Sequence, residues 1–198
     1  MVLVLVVRVA CAQESTRPDA PAGSSPSDLF TRGRFEAALN NGVLFSPFVA
    51  ENKRPTINYT VSSIQLGYML GDVNDAGWLR GNFEGALEAF GSGIYEGPGS
   101  YISGGTLWLR YNFVQRKGPL VPYFQVGGGV TTTDIDHNLV GQPFNFNLDL
   151  GIGLRCFVAK NWTLSLEYRY QHISNADTGN HNLGINAHGP ILGVSYLF

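Results

Sequence analysis

The sequence predicts an all-β chain that folds as an eight-stranded antiparallel up-and-down transmembrane β-barrel. Only 14% of its 198 residues are charged, compared with roughly 25% in soluble domains. No stretch approaches the ~20 consecutive apolar residues that a membrane-spanning helix needs. From Phe35 onward, apolar and polar residues alternate instead, in segments longer than the roughly 5–6 residues usual in globular sheets. These observations indicate long strands with one apolar face, as in membrane barrels.

The first 32 residues are predicted to lie outside the barrel. Residues 1–12 have the form of a signal peptide remnant, with an apolar stretch and an Ala-Cys-Ala cleavage site before Gln13. Residues 13–32 are rich in Pro, Ser and Ala and predict a flexible leader, which leaves residues 33–198 for the barrel. Cleavage would leave Cys156 as the one cysteine, so no intrachain disulfide is expected.

Eight alternating segments follow one another, separated by turn residues such as those of Gly97-Pro98-Gly99. They predict strands at about Phe35–Phe45, Ile57–Leu70, Leu79–Tyr95, Tyr101–Val114, Val121–Thr133, Phe144–Phe157, Trp162–Ser174 and Gly189–Phe198. The fourth segment shows the pattern clearly, because Leu107 and Leu109 alternate with Thr106 and Arg110.

One face of the strands is apolar, and the other carries charges. The charged residues on that face are Glu84, Glu88, Arg110, Asp149, Arg155, Glu167 and Arg169. In a membrane barrel these side chains would line the lumen and pair there, acids with arginines, because an unpaired buried charge is costly. A soluble sandwich would show the same alternation, so alternation alone leaves both folds open. The strand length, the even strand count and the terminal strand ending in Phe198 favour the membrane barrel, since that strand resembles the assembly signal of outer-membrane proteins.

Connection lengths predict how the barrel is oriented. Bacterial barrels have short periplasmic turns and longer outside loops. The short connections Gln115–Leu120 and Ala159–Asn161 are therefore assigned to the periplasm, although the connection after the third strand, about Glu96–Ser100, is also short and does not follow this rule. The end of the seventh strand and the polar loop Asn175–His188 then lie on the outside of the cell.

The seventh strand carries a pair of residues whose side chains are suited to catalysis. His172 and Ser174 are two residues apart, so they share one face of the strand with Tyr168 and Tyr170, and that face meets lipid. An imidazole beside a hydroxyl is the pair that nucleophilic catalysis needs. Two polar residues at a strand end are also compatible with an ordinary transition from membrane to loop.

The segment Glu167–Asn186, EYRYQHISNADTGNHNLGIN, resembles the signature of the lipid A 3-O-deacylase (PagL-like) family. These outer-membrane barrels hydrolyse the ester-linked acyl chain at the 3-position of lipid A. The resemblance is strongest over residues 164–186 and extends, as topology, over all eight strands. It implies a serine esterase in which Ser174 is the nucleophile and His172 the general base. Three further residues are implied to position the oxyanion or support the site, namely Asn175, Ala176 through its backbone, and Asn182.

The chain departs from this family at one position. Where the family's type enzyme has a Glu fourteen residues after the His, this sequence has Asn186. An Asn can accept a hydrogen bond from the imidazole, but it cannot supply the charge that stabilises an imidazolium. The sequence leaves open whether Asn186 or Asp177 completes the catalytic group. The alternative to an enzyme is a catalytically inactive structural or adhesion-type outer-membrane barrel.

The resemblance also implies the partners. The expected partner is lipid A, or lipopolysaccharide, with the site in the outer membrane facing the outer leaflet. The net charge of −2 gives no basic footprint, so no nucleic acid partner is expected. His137, His181 and His188 lack the spacing of metal ligands, so neither a metal ion nor another cofactor is expected. The ester that is cut, and whether the barrel forms a homodimer, stay open.

Overall fold

The computed structural model describes residues 26–47, 54–116, 118–135, 140–179 and 181–198. Within these residues, eight strands form a closed antiparallel barrel in which each strand pairs with the next and the last pairs with the first. The strands are β1 (Phe35–Ser46), β2 (Ile57–Met69), β3 (Asn82–Glu96), β4 (Tyr101–Asn112), β5 (Leu120–Thr133), β6 (Phe144–Phe157), β7 (Trp162–Ser174) and β8 (Ile185–Leu197). The predicted up-and-down barrel is therefore confirmed.

β3 begins later than the sequence predicts. It starts at Asn82 instead of Leu79, because Gly77–Leu79 forms a short 3-10 helix. Gly77 has φ +61°, a left-handed conformation that glycine adopts without steric cost. The connection between β2 and β3 is correspondingly longer than predicted.

β8 begins four residues before the predicted Gly189. Ile185 and Ala187 are fully buried, whereas Asn186 and His188 face outward, so the strand alternation continues through residues whose composition suggests a loop. This extension matters for function because it brings Asn186 into the sheet beside β7.

Part of the predicted leader folds against the barrel. Residues 1–25, with the expected signal peptide remnant and cleavage site, lie outside the described residues. Pro26–Leu29 form a short helix, α1, and Phe30 follows it, so the end of the predicted leader packs against the barrel before β1 begins. This packing is stabilised by the burial of Leu29 and Phe30. Removing each of these large apolar side chains from water contributes about 1.5–3 kcal/mol. No helix in the described ranges is long and apolar enough to cross a bilayer.

An apolar cluster closes the end of the barrel where β1 begins and β8 ends. Its buried members are Leu29, Phe30, Met69, Val114, Val121, Phe157 and Leu197. We refer to this as the inner cluster, because the orientation predicted from the sequence assigns the β4–β5 and β6–β7 connections at this end to the periplasm. Aromatic side chains surround it on the outside wall, where the rings of Phe35 and Phe198 stack with centroids 5.9 Å apart. Such an aromatic girdle is typical of the membrane–water boundary of outer-membrane barrels.

The middle of the lumen is filled by charged side chains that pair with one another. Arg110 lies 3.2 Å from Glu36 and 3.0 Å from Glu84. Arg155 binds the same two carboxylates at 2.7 and 3.4 Å. All four side chains are buried, and the apolar faces of the strands point outward. This arrangement confirms the prediction of paired lumen charges and excludes the soluble sandwich, whose apolar face would point inward.

A second group of charges lies nearer the outer end. Arg169 contacts Glu88 at 3.1 Å and Glu167 at 2.8 Å. Asp149 differs from the expectation, because among the described residues it forms no ion pair within 4.0 Å. Its carboxylate accepts a hydrogen bond from Thr106 at 3.3 Å instead.

A second apolar cluster, the outer cluster, closes the opposite end of the lumen. Its buried members are Leu44, Ile57, Tyr59, Val61, Phe90, Ile102, Ile135, Val140, Ile173, Ile185, Ala187 and Ile191. Ile173 and Ile185 anchor the ends of β7 and β8 in this cluster. Because side chains alternate along a strand, their neighbours in sequence are fixed on the outside wall.

Asp134 ties two outer connections together at this end. Its carboxylate accepts the backbone N–H groups of Ser100 at 2.7 Å and of Tyr101 at 3.1 Å. These two donors favour the ionised carboxylate and lower the pKa of Asp134 below its usual range. The β3–β4 turn is thereby fixed to the end of β5.

Candidate active site

β7 ends with His172 and Ser174 on the outside wall. Both side chains are half-buried, while Ile173 between them is fully buried. Their face of the strand continues toward the membrane as the exposed residues Tyr170 and Tyr168. The structure therefore places the imidazole and the hydroxyl at the outer end of the apolar wall, on the face that the sequence predicts.

Asn186 lies directly opposite His172 in the β7–β8 pairing. Its Oδ1 atom is 2.6 Å from Nδ1 of His172, and it also accepts a hydrogen bond from the Tyr170 hydroxyl at 2.9 Å. With a carbonyl oxygen as its partner, Nδ1 of His172 must carry the proton. The other nitrogen, Nε2, then has a free lone pair, which is the state that a general base requires.

Asp177, the alternative to Asn186, has a different partner. Its Oδ1 atom accepts a hydrogen bond from Nδ2 of Asn182 at 2.8 Å. Asn182 in turn accepts the backbone N–H of Asn175 at 3.2 Å. Of the two residues that the sequence leaves open, Asn186 contacts the imidazole and Asp177 stabilises the loop.

A strained turn follows Ser174. The N–H of Thr178 donates to the carbonyl of Asn175 at 3.1 Å, and both residues between them, Ala176 and Asp177, have positive φ angles of 52° and 59°. An alanine in the left-handed region costs roughly 1–2 kcal/mol, and strain of this kind is frequent at functional sites. The N–H of Ala176 has no hydrogen-bond acceptor among the described residues.

The side chain of Asn175 holds this turn in place through hydrogen bonds. Its side chain is buried, and its Nδ2 atom donates to the carbonyls of Val140 at 3.1 Å and His181 at 2.6 Å. Its Oδ1 atom accepts the N–H of Asp177 at 2.9 Å. Both amide hydrogens are thus engaged in holding the loop. This geometry supports a positioning role for the Asn175 side chain.

Comparison with known proteins now places the chain in a family. The model of the family described as lipid A 3-O-deacylase (PagL) matches residues 62–195, which include β7, the turn after it and most of β8. The chain belongs to the lipid A 3-O-deacylase (PagL) family. No curated protein matches the chain by sequence.

Solved structures of outer-membrane proteins share the fold. The crystal structure of the outer membrane enzyme PagL has a TM-score of 0.57 at 19% identity, and the match covers 80% of this chain and 97% of that one. Neisserial surface protein A gives 0.58 at 17% identity, with 84% and 97% covered. The N-terminal β-barrel domain of Pseudomonas aeruginosa OprF gives 0.54 at 16% identity, with 84% and 98% covered. At these identities the likeness shows the fold alone, that of an outer-membrane β-barrel.

The structure adds residues to the PagL-like site that the sequence reading did not single out. Tyr170 is one, although its position two residues before His172 on the same strand face could have indicated it. Gly184 is another, with φ +63°. A Cβ atom there would lie 3.4 Å from Cε1 of His172 and 3.8 Å from Cβ of Ser174, so the glycine keeps the approach to both side chains open. The buried Arg54 donates to the carbonyl of Gly184 at 3.3 Å, and no sequence signal links these two distant residues.

The described part of this PagL-family barrel contains no cluster of three or more His, Cys, Asp or Glu side chains that could hold a metal ion. At this end of β7 lie a hydroxyl, an imidazole and a backbone N–H in a strained turn. These are the types of group that acyl transfer through a serine nucleophile requires, although no hydrogen bond joins Ser174 to His172 in the described residues.

Proposed function

We propose that this protein is an outer-membrane serine esterase that hydrolyses the 3-O-linked acyl chain of lipid A. The observation that carries the proposal is the 2.6 Å contact between His172 and Asn186, beside Ser174 on the lipid-facing wall. This contact gives the imidazole the tautomer of a general base. Family membership supports lipid A as the substrate.

In the proposed reaction, Oγ of Ser174 attacks the ester carbonyl while Nε2 of His172 accepts the hydroxyl proton. The N–H of Ala176 donates to the oxyanion of the tetrahedral intermediate. Collapse of this intermediate breaks the ester bond, and the protonated His172 returns its proton to the departing sugar oxygen. A water molecule, activated by the same imidazole, then hydrolyses the acyl-enzyme and releases a free fatty acid.

The surroundings of the pair favour a membrane lipid over a water-soluble ester. Across the β6–β7 pairing, His172 faces Leu148 and Ser174 faces Phe146, both exposed on the outside wall. An acyl chain lying against this wall stays in the hydrocarbon while its ester reaches the strand end. The lipid therefore does not have to leave the leaflet to react.

The proposal is tested by mass spectrometry of lipid A after incubation with the refolded barrel. We expect the loss of one acyl chain from the 3-position, with the matching free fatty acid in solution. Loss of a chain from another position would make the protein a different esterase. No loss with a correctly folded barrel, shown by its heat-modifiable migration on gels, would favour the inactive structural or adhesion-type barrel instead.

The lack of a carboxylate at position 186 favours the inactive alternative, and substitutions at this position separate the two functions. We expect Asn186→Glu to raise kcat for deacylation about tenfold, because a carboxylate stabilises the imidazolium that forms in the transition state; a tenfold change corresponds to about 1.4 kcal/mol. The measurement is fatty-acid release at saturating lipid A. Asn186→Ala is the control and should lower kcat, since it removes the acceptor that fixes the tautomer. Equal losses in both variants would contradict this role for position 186.

A further inference from the structure

A second histidine lies on the lipid-facing wall next to the proposed site. His188 is two residues below Asn186 on β8, and it pairs across the sheet with Tyr170. It is therefore a diagonal neighbour of His172, and such positions lie about 7–8 Å apart. Its Nδ1 atom is 2.5 Å from the hydroxyl of Tyr168, and the two rings have centroids 5.8 Å apart.

The Tyr168 contact determines which nitrogen of His188 carries the proton. If Nδ1 were protonated and donated to Tyr168, the phenol O–H and Nε2 would both lack a partner among the described residues. If the phenol donates to Nδ1, the N–H of Nε2 is the one unpaired group. The second arrangement is favoured because unpaired polar groups are costly beside hydrocarbon. The N–H of His188 is then on Nε2, on the outside wall of the barrel.

The two histidines consequently have opposite tautomers. His172 donates through Nδ1 to Asn186 and presents a bare Nε2, whereas His188 accepts at Nδ1 from Tyr168 and presents Nε2–H. The first is suited to accept a proton, and the second is suited to bind an oxygen atom. Hydrocarbon tails provide no acceptor for this donor, whereas the acyl carbonyl groups of a lipid do.

We propose that Nε2–H of His188 binds the carbonyl oxygen of the acyl linkage next to the one that is cleaved. This inference rests on the proposed function, because it assumes that the scissile ester lies at Ser174 and His172. A lipid with several acyl chains carries a second carbonyl beside the scissile one. The diagonal neighbour on β8 is placed to bind that group while β7 performs the reaction. His188 thus selects lipids with adjacent acyl chains over single-chain esters.

Binding measured without turnover tests the role of His188. In the Ser174→Ala background, we expect His188→Phe to weaken the affinity for lipid A about five- to tenfold, the effect of losing one hydrogen bond. His188→Gln should restore part of the affinity, since its amide can donate. Tyr168→Phe should also weaken binding, because it frees the tautomer of His188. The measurement is isothermal titration of the refolded full chain in detergent micelles with purified lipid A, and Tyr68→Phe, on the lipid-facing wall of β2, is the matched control.

Each outcome decides the inference. The inference is wrong if the Ser174→Ala protein binds lipid A equally well with and without the His188→Phe change. It is also wrong if the Ser174→Ala protein does not bind lipid A. Equal losses of affinity for lipid A and for a fatty-acid methyl ester would also overturn it, because the methyl ester has no second carbonyl. Hydrolysis of lipid A by the parent protein is measured separately. Its absence would refute the proposed function even if the binding results agree with the role of His188.

Discussion

Ser174→Ala is expected to reduce fatty-acid release from lipid A by a factor of about 10⁴ or more. The change removes the oxygen that forms the acyl-enzyme and leaves the fold intact, because the Ser174 side chain lies at the strand end on the outside wall. His172→Ala should cause a loss of similar size. The double variant should be no worse than either single one, since nucleophile and base act as a unit. The measurement is the initial rate of release from purified lipid A.

Ser62→Ala is the matched control for this prediction. Ser62 is another serine on the outside wall, where its hydroxyl donates to Asn41 at 2.8 Å, and it is remote from β7. We expect its removal to leave the rate of release unchanged. Release by Ser174→Ala at the parental rate would show that the nucleophile lies elsewhere.

Arg110→Met is expected to destabilise the barrel by about 3–5 kcal/mol, the usual cost of removing one partner from a buried ion pair. Arg110 contacts two carboxylates at 3.0–3.2 Å and donates to Gln65 at 2.6 Å and to Gln125 at 2.8 Å. Without Arg110, Arg155 is the remaining cation that pairs with Glu36 and Glu84 in the described residues. Urea unfolding followed by tryptophan fluorescence in lipid vesicles measures the change.

Arg116→Met is the appropriate comparison for the buried arginine. Arg116 also forms an ion pair, with Asp75, but its side chain is 72% exposed. Exposed pairs typically contribute about 0–1 kcal/mol, so this variant should unfold near the parental urea concentration. Similar stability of the two variants would mean that the lumen charges do not hold the barrel together.

The barrel could be predicted because its signal is distributed over many residues. A membrane barrel has to alternate apolar and polar side chains along every strand, so an error at one position changes little. The lumen charges could be predicted as a group by the same parity. Their partners could not, because strand spacing does not tell whether Arg110 reaches Glu36 on β1 or Glu84 on β3, and it contacts both.

The site could be predicted in part. The positions of His172 and Ser174 on one strand face follow from their spacing of two residues. The choice between Asn186 and Asp177 depends on where β8 begins, and loop-like composition conceals that boundary. Only the register of β7 against β8 brings Asn186 to the imidazole. The packing of α1 and Phe30 was likewise hidden in a segment whose Pro and Ser content is typical of flexible leaders.

The filled interior has a consequence for the cell that carries this protein. Apolar clusters close both ends and paired charges occupy the space between them, so the part of the barrel that the structure describes encloses no open channel. A porin of similar height makes the envelope leakier with every copy inserted. Insertion of further copies of this protein is instead expected to leave the permeability of the outer membrane unchanged.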